Sequence, residues 1–262
     1  MRNKKLIILF SVLLGITLLA VCNSVLFSVQ HVNAYCANRE ESAYRQEVLA
    51  SHKIKRGTSI FLVNKDKVVK NVQTNVPHVR VLNIEKKFPN RIWINYIEET
   101  EYLKITQGNK TLYLSRELRV MSVIDGVWEG DAIRLLYNGE PPALSVGDTL
   151  SFDGSQTVDG ILAGFADLGY DDTTVDLLYE IDLRGEEILL TLAYKTATGK
   201  TPGMQWRILT ADRLSEKIRL ALSVYDSDKL TDEQKKRGTL IVAGDKVTYQ
   251  GVGGGVTDVT PA

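Results

Sequence analysis

The chain has 262 residues, 44% of them hydrophobic and 24% charged, a globular composition with room for two small domains outside any membrane segment. Its formal net charge is zero, so no global field attracts nucleic acid or an anionic surface. Only two cysteines occur, Cys22 inside an apolar run and Cys36 just past it, which argues against a disulfide framework.

Arg2, Lys4 and Lys5 precede the apolar run 6–21. At about 1.5 Å per residue that run covers about 24 Å, short of a hydrocarbon core of about 30 Å, and extending it through Phe27 brings it to about 33 Å. The reading is a cytoplasmic tail at 1–5 and a single transmembrane helix at 6–27. Basic residues ahead of the span and a large body behind it place the N-terminus inside and the remainder outside. Two cleaved readings compete: Val32-Asn33-Ala34 as a signal-peptidase site, which lies several residues past the run, and Leu19-Ala20-Val21-Cys22 as a lipoprotein box, in which Val21 stands where a small residue is expected. The retained anchor is preferred.

Residues 27–35 (FSVQHVNAY) read as a strand, and 41–51 as a weakly amphipathic helix with Tyr44 and Val48 one turn apart. Asn64 is a good N-cap for a helix carrying Val68, Val69, Val72 and Val76 on one face, and Pro77 stops it. Val79, Leu82 and Ile84 lead into a hairpin whose turn is Phe88-Pro89-Asn90, with Ile92, Ile94 and Tyr96 alternating out of it as far as Glu98. Leu82, Ile84, Ile92 and Ile94 are expected on the face covered by the two helices. The order is β-α-α-β-β.

This order resembles the POTRA domain of the FtsQ/DivIB family of bacterial cell-division proteins. The segments that carry the resemblance are GTSIFLVN before the second helix, NVPHVRVLNI after it and KKFPNRIWINYIEE at the hairpin. The pattern runs through Pro77, Val79, Leu82, Ile84, Phe88, Pro89, Asn90, Ile92, Ile94 and Glu98. Glu99-Thr100 departs from the family's usual Arg and nearby Pro, and the cytoplasmic tail is very short for the family. POTRA domains also serve outer-membrane transporters, where a barrel follows; the roughly 160 residues left here are too few and too charged for one.

From residue 100 on, the runs 102–105, 111–114 and 120–124 read as a strand meander, and Pro141-Pro142 breaks the chain. A helix at 157–168 carries Val158, Ile161, Phe165 and Leu168 on one face and closes at Gly169. Strands come next at 177–183 and 187–194, then a helix at 211–225 with Leu214, Ile218, Ala221 and Tyr225, then the apolar strand 239–243 (TLIVA). This half resembles the β domain of the same family, less closely, and Gly238-Thr239 replace an Asp usual near the start of the last strand. The Gly-rich segment 250–262 reads as a disordered tail.

The search for chemistry finds no active site. His31, His52 and His78 lie on different elements without zinc-ligand spacing. No nucleophile motif is present, the glycines at 251–255 precede no helix that could bind phosphate, and Asp171-Asp172 mark a solvated turn. Gly160 and Gly164 sit in a helix too short to cross a membrane and suit close helix packing. No catalytic, cofactor-binding or metal residue is assigned.

The expected architecture is thus α+β: one N-terminal transmembrane helix, a β-α-α-β-β POTRA domain at 28–99, a mixed-sheet β domain with two helices at 100–249, and the tail. The resemblance implies a non-enzymatic, single-pass divisome scaffold at the septum. Its implied partners are the FtsL and FtsB/DivIC-type coiled-coil proteins, with membrane lipid around the anchor and no nucleic acid. It also implies an edge strand for the FtsB/DivIC-type partner near Leu240, Ile241 and Val242. The rival classes are a POTRA-type transport accessory and a membrane-anchored cell-wall enzyme.

Overall fold

The hairpin forms as β2 (Val79–Lys87) and β3 (Arg91–Glu98), joined at Phe88-Pro89-Asn90. Its register pairs Ile84 with Ile94 and Lys86 with Ile92. A third strand, β1 (His31–Cys36), runs parallel to β3, giving the order β1-β3-β2. The strand expected from Phe27 thus begins four residues later; before it the chain makes an isolated bridge between Ser28 and Ser59. The computed structural model describes residues 10, 12–15, 17, 21, 26–126, 131–139, 143–170, 174–196 and 199–260. The expected cytoplasmic tail, most of the expected span, Pro141-Pro142 and Asp171-Asp172 lie outside them.

Two helices cover one face of this sheet. The first, α1 (Arg45–Ser51), starts later than its sequence suggests because Tyr44 supplies no side-chain cap. The second, α2 (Lys65–Asn75), starts where Asn64 Oδ1 accepts from the Lys67 N–H at 3.0 Å. Val48, Val68, Val72 and Val76 pack onto Ile84, Ile92, Ile94 and Tyr96 in one core. Leu82 is the exception to the expected face: it is 47% exposed. Val81 pairs with Tyr96 and Asn83 with Asn95, so Leu82 is the extra residue of a β-bulge. The bulge shifts the period by one and hands the inward position to Val81.

Residues 100–262 form a second unit with its own core. Its sheet has ten strands: β4 (Leu103–Gln107), β5 (Lys110–Leu114), β6 (Val120–Asp125), β7 (Ile133–Tyr137), β8 (Leu178–Leu183), β9 (Ile188–Thr196), β10 (Gly199–Ile208), β11 (Thr239–Ala243), β12 (Lys246–Gln250) and β13 (Val256–Asp258). The spatial order is β13-β12-β11-β10-β9-β8-β7-β4-β5-β6. Pairs β4–β7, β7–β8 and β10–β11 are parallel and the others antiparallel, so the sheet is mixed.

Two long helices, α3 (Ser155–Ala166) and α5 (Leu214–Tyr225), share the core with this sheet; the short α4 (Thr174–Leu177) and α6 (Asp232–Lys236) add to the two helices expected. Burial alternates along the strands: Ile188, Leu190 and Leu192 on β9, Met204, Trp206 and Ile208 on β10, Leu240 and Val242 on β11, Val247 and Tyr249 on β12. One face therefore meets the helices, as period-two patterning requires. Gly160 and Gly164 let α3 approach α5 closely: a Cβ on Gly164 would meet Ile218 Cδ1 at 2.9 Å.

Among the described residues no helix is long and apolar enough to cross a membrane. Residues 10, 12–15, 17, 21 and 26 are helical. Phe10, Leu13, Leu14, Val21 and Leu26 each expose more than half their surface. Thr17 Oγ1 donates to the Leu13 carbonyl at 2.8 Å, the bond by which a hydroxyl is satisfied within its own helix.

Candidate functional site

Among the described residues of either unit, the histidines and acids do not converge. Among the described residues no group of three or more His, Cys, Asp or Glu is placed to hold a metal. His31 is exposed on β1. His52 follows α1, its Nδ1 accepts from the Ile54 N–H at 2.8 Å, and burial lowers its pKa. His78 stacks on Tyr44 at 5.5 Å between ring centroids. The sequence-predicted candidates are two surfaces, the hairpin and a sheet edge.

At the hairpin, Ile92 and Ile94 are fully buried and Trp93 between them points outward, 38% exposed. Phe88 at the turn is 58% exposed. Glu98 closes β3 and is tied to the segment after β1: the Asn38 side chain donates to the Glu98 carbonyl at 2.9 Å and accepts its N–H at 3.0 Å. The buried Glu98 carboxylate pairs with Arg39 Nε at 3.3 Å. These bonds continue the β1–β3 pairing past the last strand residue.

Leu240, Ile241 and Val242 were expected at a sheet edge, and the structure places them inside the sheet. They lie on β11, with β10 parallel on one side and β12 antiparallel on the other. Leu240 and Val242 are buried, while Ile241 faces the open side and is partly exposed. The apolar run suggested burial, but whether a strand ends its sheet depends on the strands that pair beyond it, and here a further ribbon does.

That ribbon is β12 and β13, and it replaces the expected disordered tail. The glycines at 251–255 make its turn, with the Gly254 N–H donating to the Gly251 carbonyl at 2.9 Å and the Gly251 N–H to the Gly255 carbonyl at 3.0 Å. Gly254 has φ +82°, which suits glycine there. β13 pairs over three residues, Val256 to Gln250, Thr257 to Tyr249 and Asp258 to Thr248, and all three of its side chains are exposed. Val259 beyond it is buried, and Lys229 Nζ donates to the Thr260 carbonyl at 2.7 Å. The alternation of Val247 and Tyr249, with glycines and another Val after it, was the sequence signal for this hairpin. Gly238 has a related role: at φ +96° a Cβ would lie 2.8 Å from Tyr249 Cε2 and 2.9 Å from the Gln250 carbonyl.

The other notable charge arrangement is structural. Lys217 on α5 is buried, and its ammonium donates to the Thr210 carbonyl at 3.0 Å and to Asp212 Oδ1 at 2.9 Å. The Thr210 hydroxyl and then Lys217 hold the Asp212 pKa down to about 2. A depressed folded-state pKa gives stability that is complete above the ordinary aspartate value of 3.8 and is lost as pH falls through about 2. Asp212→Asn should therefore flatten the dependence of thermal stability on pH across that window and leave its shape above it unchanged. An unaltered slope in melting curves would show that Asp212 is not stabilised by these bonds.

Two comparisons with known proteins bear on this arrangement. Residues 40–99, which hold α1, α2 and the β2–β3 hairpin, match the family described as "POTRA domain, FtsQ-type". No curated protein matches the chain. The match ends at Glu99, where the first unit ends. An FtsQ-type POTRA domain points to a scaffold of cell division. With its buried Ile92 and Ile94 behind the Phe88-Pro89-Asn90 turn, the first unit is thus similar to the FtsQ-type POTRA domain over residues 40–99.

Proposed function

We propose that this chain is a single-pass membrane scaffold of the division machinery. Its N-terminus is cytoplasmic and both folded units stand outside the membrane, at the division septum. It binds FtsL and FtsB/DivIC-type coiled-coil proteins and helps couple division to septal peptidoglycan synthesis. The observation that carries this reading is the FtsQ-type POTRA domain at 40–99. Supporting it, the apolar side chains of the helical N-terminal residues are exposed and belong to neither core. Val32, Asn33 and Ala34 are paired with β3, so cleavage after Ala34 would remove four of the six residues of β1.

The role asks for no catalysis. It asks for a binding surface held at a set height, and strand addition to an open sheet edge is a physically simple form of one. In this chain the edge beyond the TLIVA strand belongs to the ribbon. We assign the partner strand to the outer edge of β12, which three residues of β13 cover. The experiment is capture of the exported segment of an FtsB/DivIC-type protein by the full chain and by a chain ending at Gln250. Capture by the full chain, strengthened by the truncation, is the expected result. Capture lost on truncation would move the contact to β13, and no capture by either would remove this partner.

A further inference from the structure

Three aromatic rings from separate segments meet at one end of the POTRA sheet. Phe27 and Phe61 are 5.4 Å apart between ring centroids, Phe61 and Phe88 5.4 Å, and Phe27 and Phe88 6.3 Å. The topology brings them there. Parallel pairing of His31 with Arg91 sets the entry of β1 beside the hairpin turn, and the Gln30 N–H donates to the Asn90 carbonyl at 2.9 Å. The Ile60 N–H donates to the Phe27 carbonyl at 2.8 Å, which seats the 3₁₀ turn Ile60–Leu62 on the same end. Ile60 is fully buried, and the turn that it anchors leaves Phe61 52% and Leu62 78% exposed.

Phe27 is partly buried against the core, while Phe61, Leu62 and Phe88 are exposed beside it and the three rings stay in contact with one another. Basic residues lie beside them. Lys86 Nζ donates to the Phe61 carbonyl at 3.3 Å, Lys87 and Arg91 flank the turn exposed, and Glu85 pairs with Lys87 at 2.5 Å. Half-exposed aromatic rings with a basic rim suit the headgroup layer of a bilayer, where rings lie at the apolar boundary and ammonium groups meet anionic lipid.

We propose that Phe27, Phe61, Leu62 and Phe88 form a foot that inserts into the outer leaflet of the membrane carrying the anchor. The position of Phe27 names this occupant. It is the last residue of the apolar span and a member of the cluster, so no linker separates the patch from the bilayer. The foot adds a second attachment to the single helix. It stands the POTRA unit with its hairpin turn toward the lipid and the far end of β1, at Cys36 and Glu40, away from it. This inference rests on the anchored reading given above.

The test uses the full chain, with Cys22 and Cys36 replaced by serine, reconstituted in vesicles of phosphatidylcholine and phosphatidylglycerol. A nitroxide is placed at Leu62→Cys or, at the other end, Glu40→Cys. Leu62 should collide more readily with oxygen than with a water-soluble nickel chelate, and Glu40 the reverse. Adding Phe61→Ser and Phe88→Ser should carry the label at position 62 into water. A label at 62 as wet as one at 40, in protein that still floats with the vesicles, overturns the foot and leaves the anchor standing. A lipid-like label that the two serines do not move overturns it as well. Protein that does not float with the vesicles overturns the anchored reading itself, and the foot with it.

Discussion

Ile94→Asp should unfold the POTRA unit. Ile94 is fully buried, paired with Ile84 across the hairpin and packed in the core that holds Val48, Val68 and Val72. Truncation to alanine would cost about 2–5 kcal/mol through lost contacts and a cavity. A carboxylate at the same place must be desolvated with no cation among its core neighbours, and that penalty exceeds the cavity cost. Against a typical domain stability of about 5–15 kcal/mol, the two together leave little folded unit. Limited proteolysis of the chain reads this directly: cleavage should spread through 28–99 while 100–260 persists. Trp93→Asp, one residue away on the exposed side, should leave the pattern unchanged. Resistance of Ile94→Asp with sensitivity of Trp93→Asp would mean that the strand is turned over.

Ile241→Pro should disrupt the second unit, because no side of β11 is free. Whichever way the Ile241 N–H points, it meets β10 or β12, so proline deletes a ladder bond and leaves a carbonyl facing a ring. An unsatisfied buried acceptor costs about 1–3 kcal/mol before any strand displacement. Thr257→Pro is the informative companion, since β13 is the outermost strand and edge strands tolerate proline. Circular dichroism melts should separate them: a large fall for Ile241→Pro and a small one for Thr257→Pro. An Ile241→Pro chain that melts normally would contradict the interior placement of TLIVA.

The contrast between these two strands shows what the sequence made legible. The hairpin could be read because its information is local: a Pro-Asn turn sets the register, and Ile92, Ile94 and Tyr96 keep period two up to Glu98. Leu82 could not, because a bulge inserts one residue without a mark in the pattern. β10 escaped notice because Pro202 and Gly203 look like a loop; they fall in the register shift between Pro202 and Gln205, where a strand can hold them. The position of TLIVA in the sheet is not a property of TLIVA at all. It depends on β12 and β13, and a glycine run that closes a tight turn looks locally like a flexible tail. The Phe27, Phe61 and Phe88 cluster was equally hidden, since its members are spread along the sequence and only the parallel β1–β3 pairing joins them.

The central claim is a membrane-anchored scaffold of division built on an FtsQ-type POTRA domain. Its most direct test is where the whole chain goes in a dividing cell. A fluorescent protein fused ahead of Met1, on the side expected to be cytoplasmic, should give a band at the division plane that appears before constriction. A signal spread evenly around the cell periphery, or through the cytoplasm, would contradict the account.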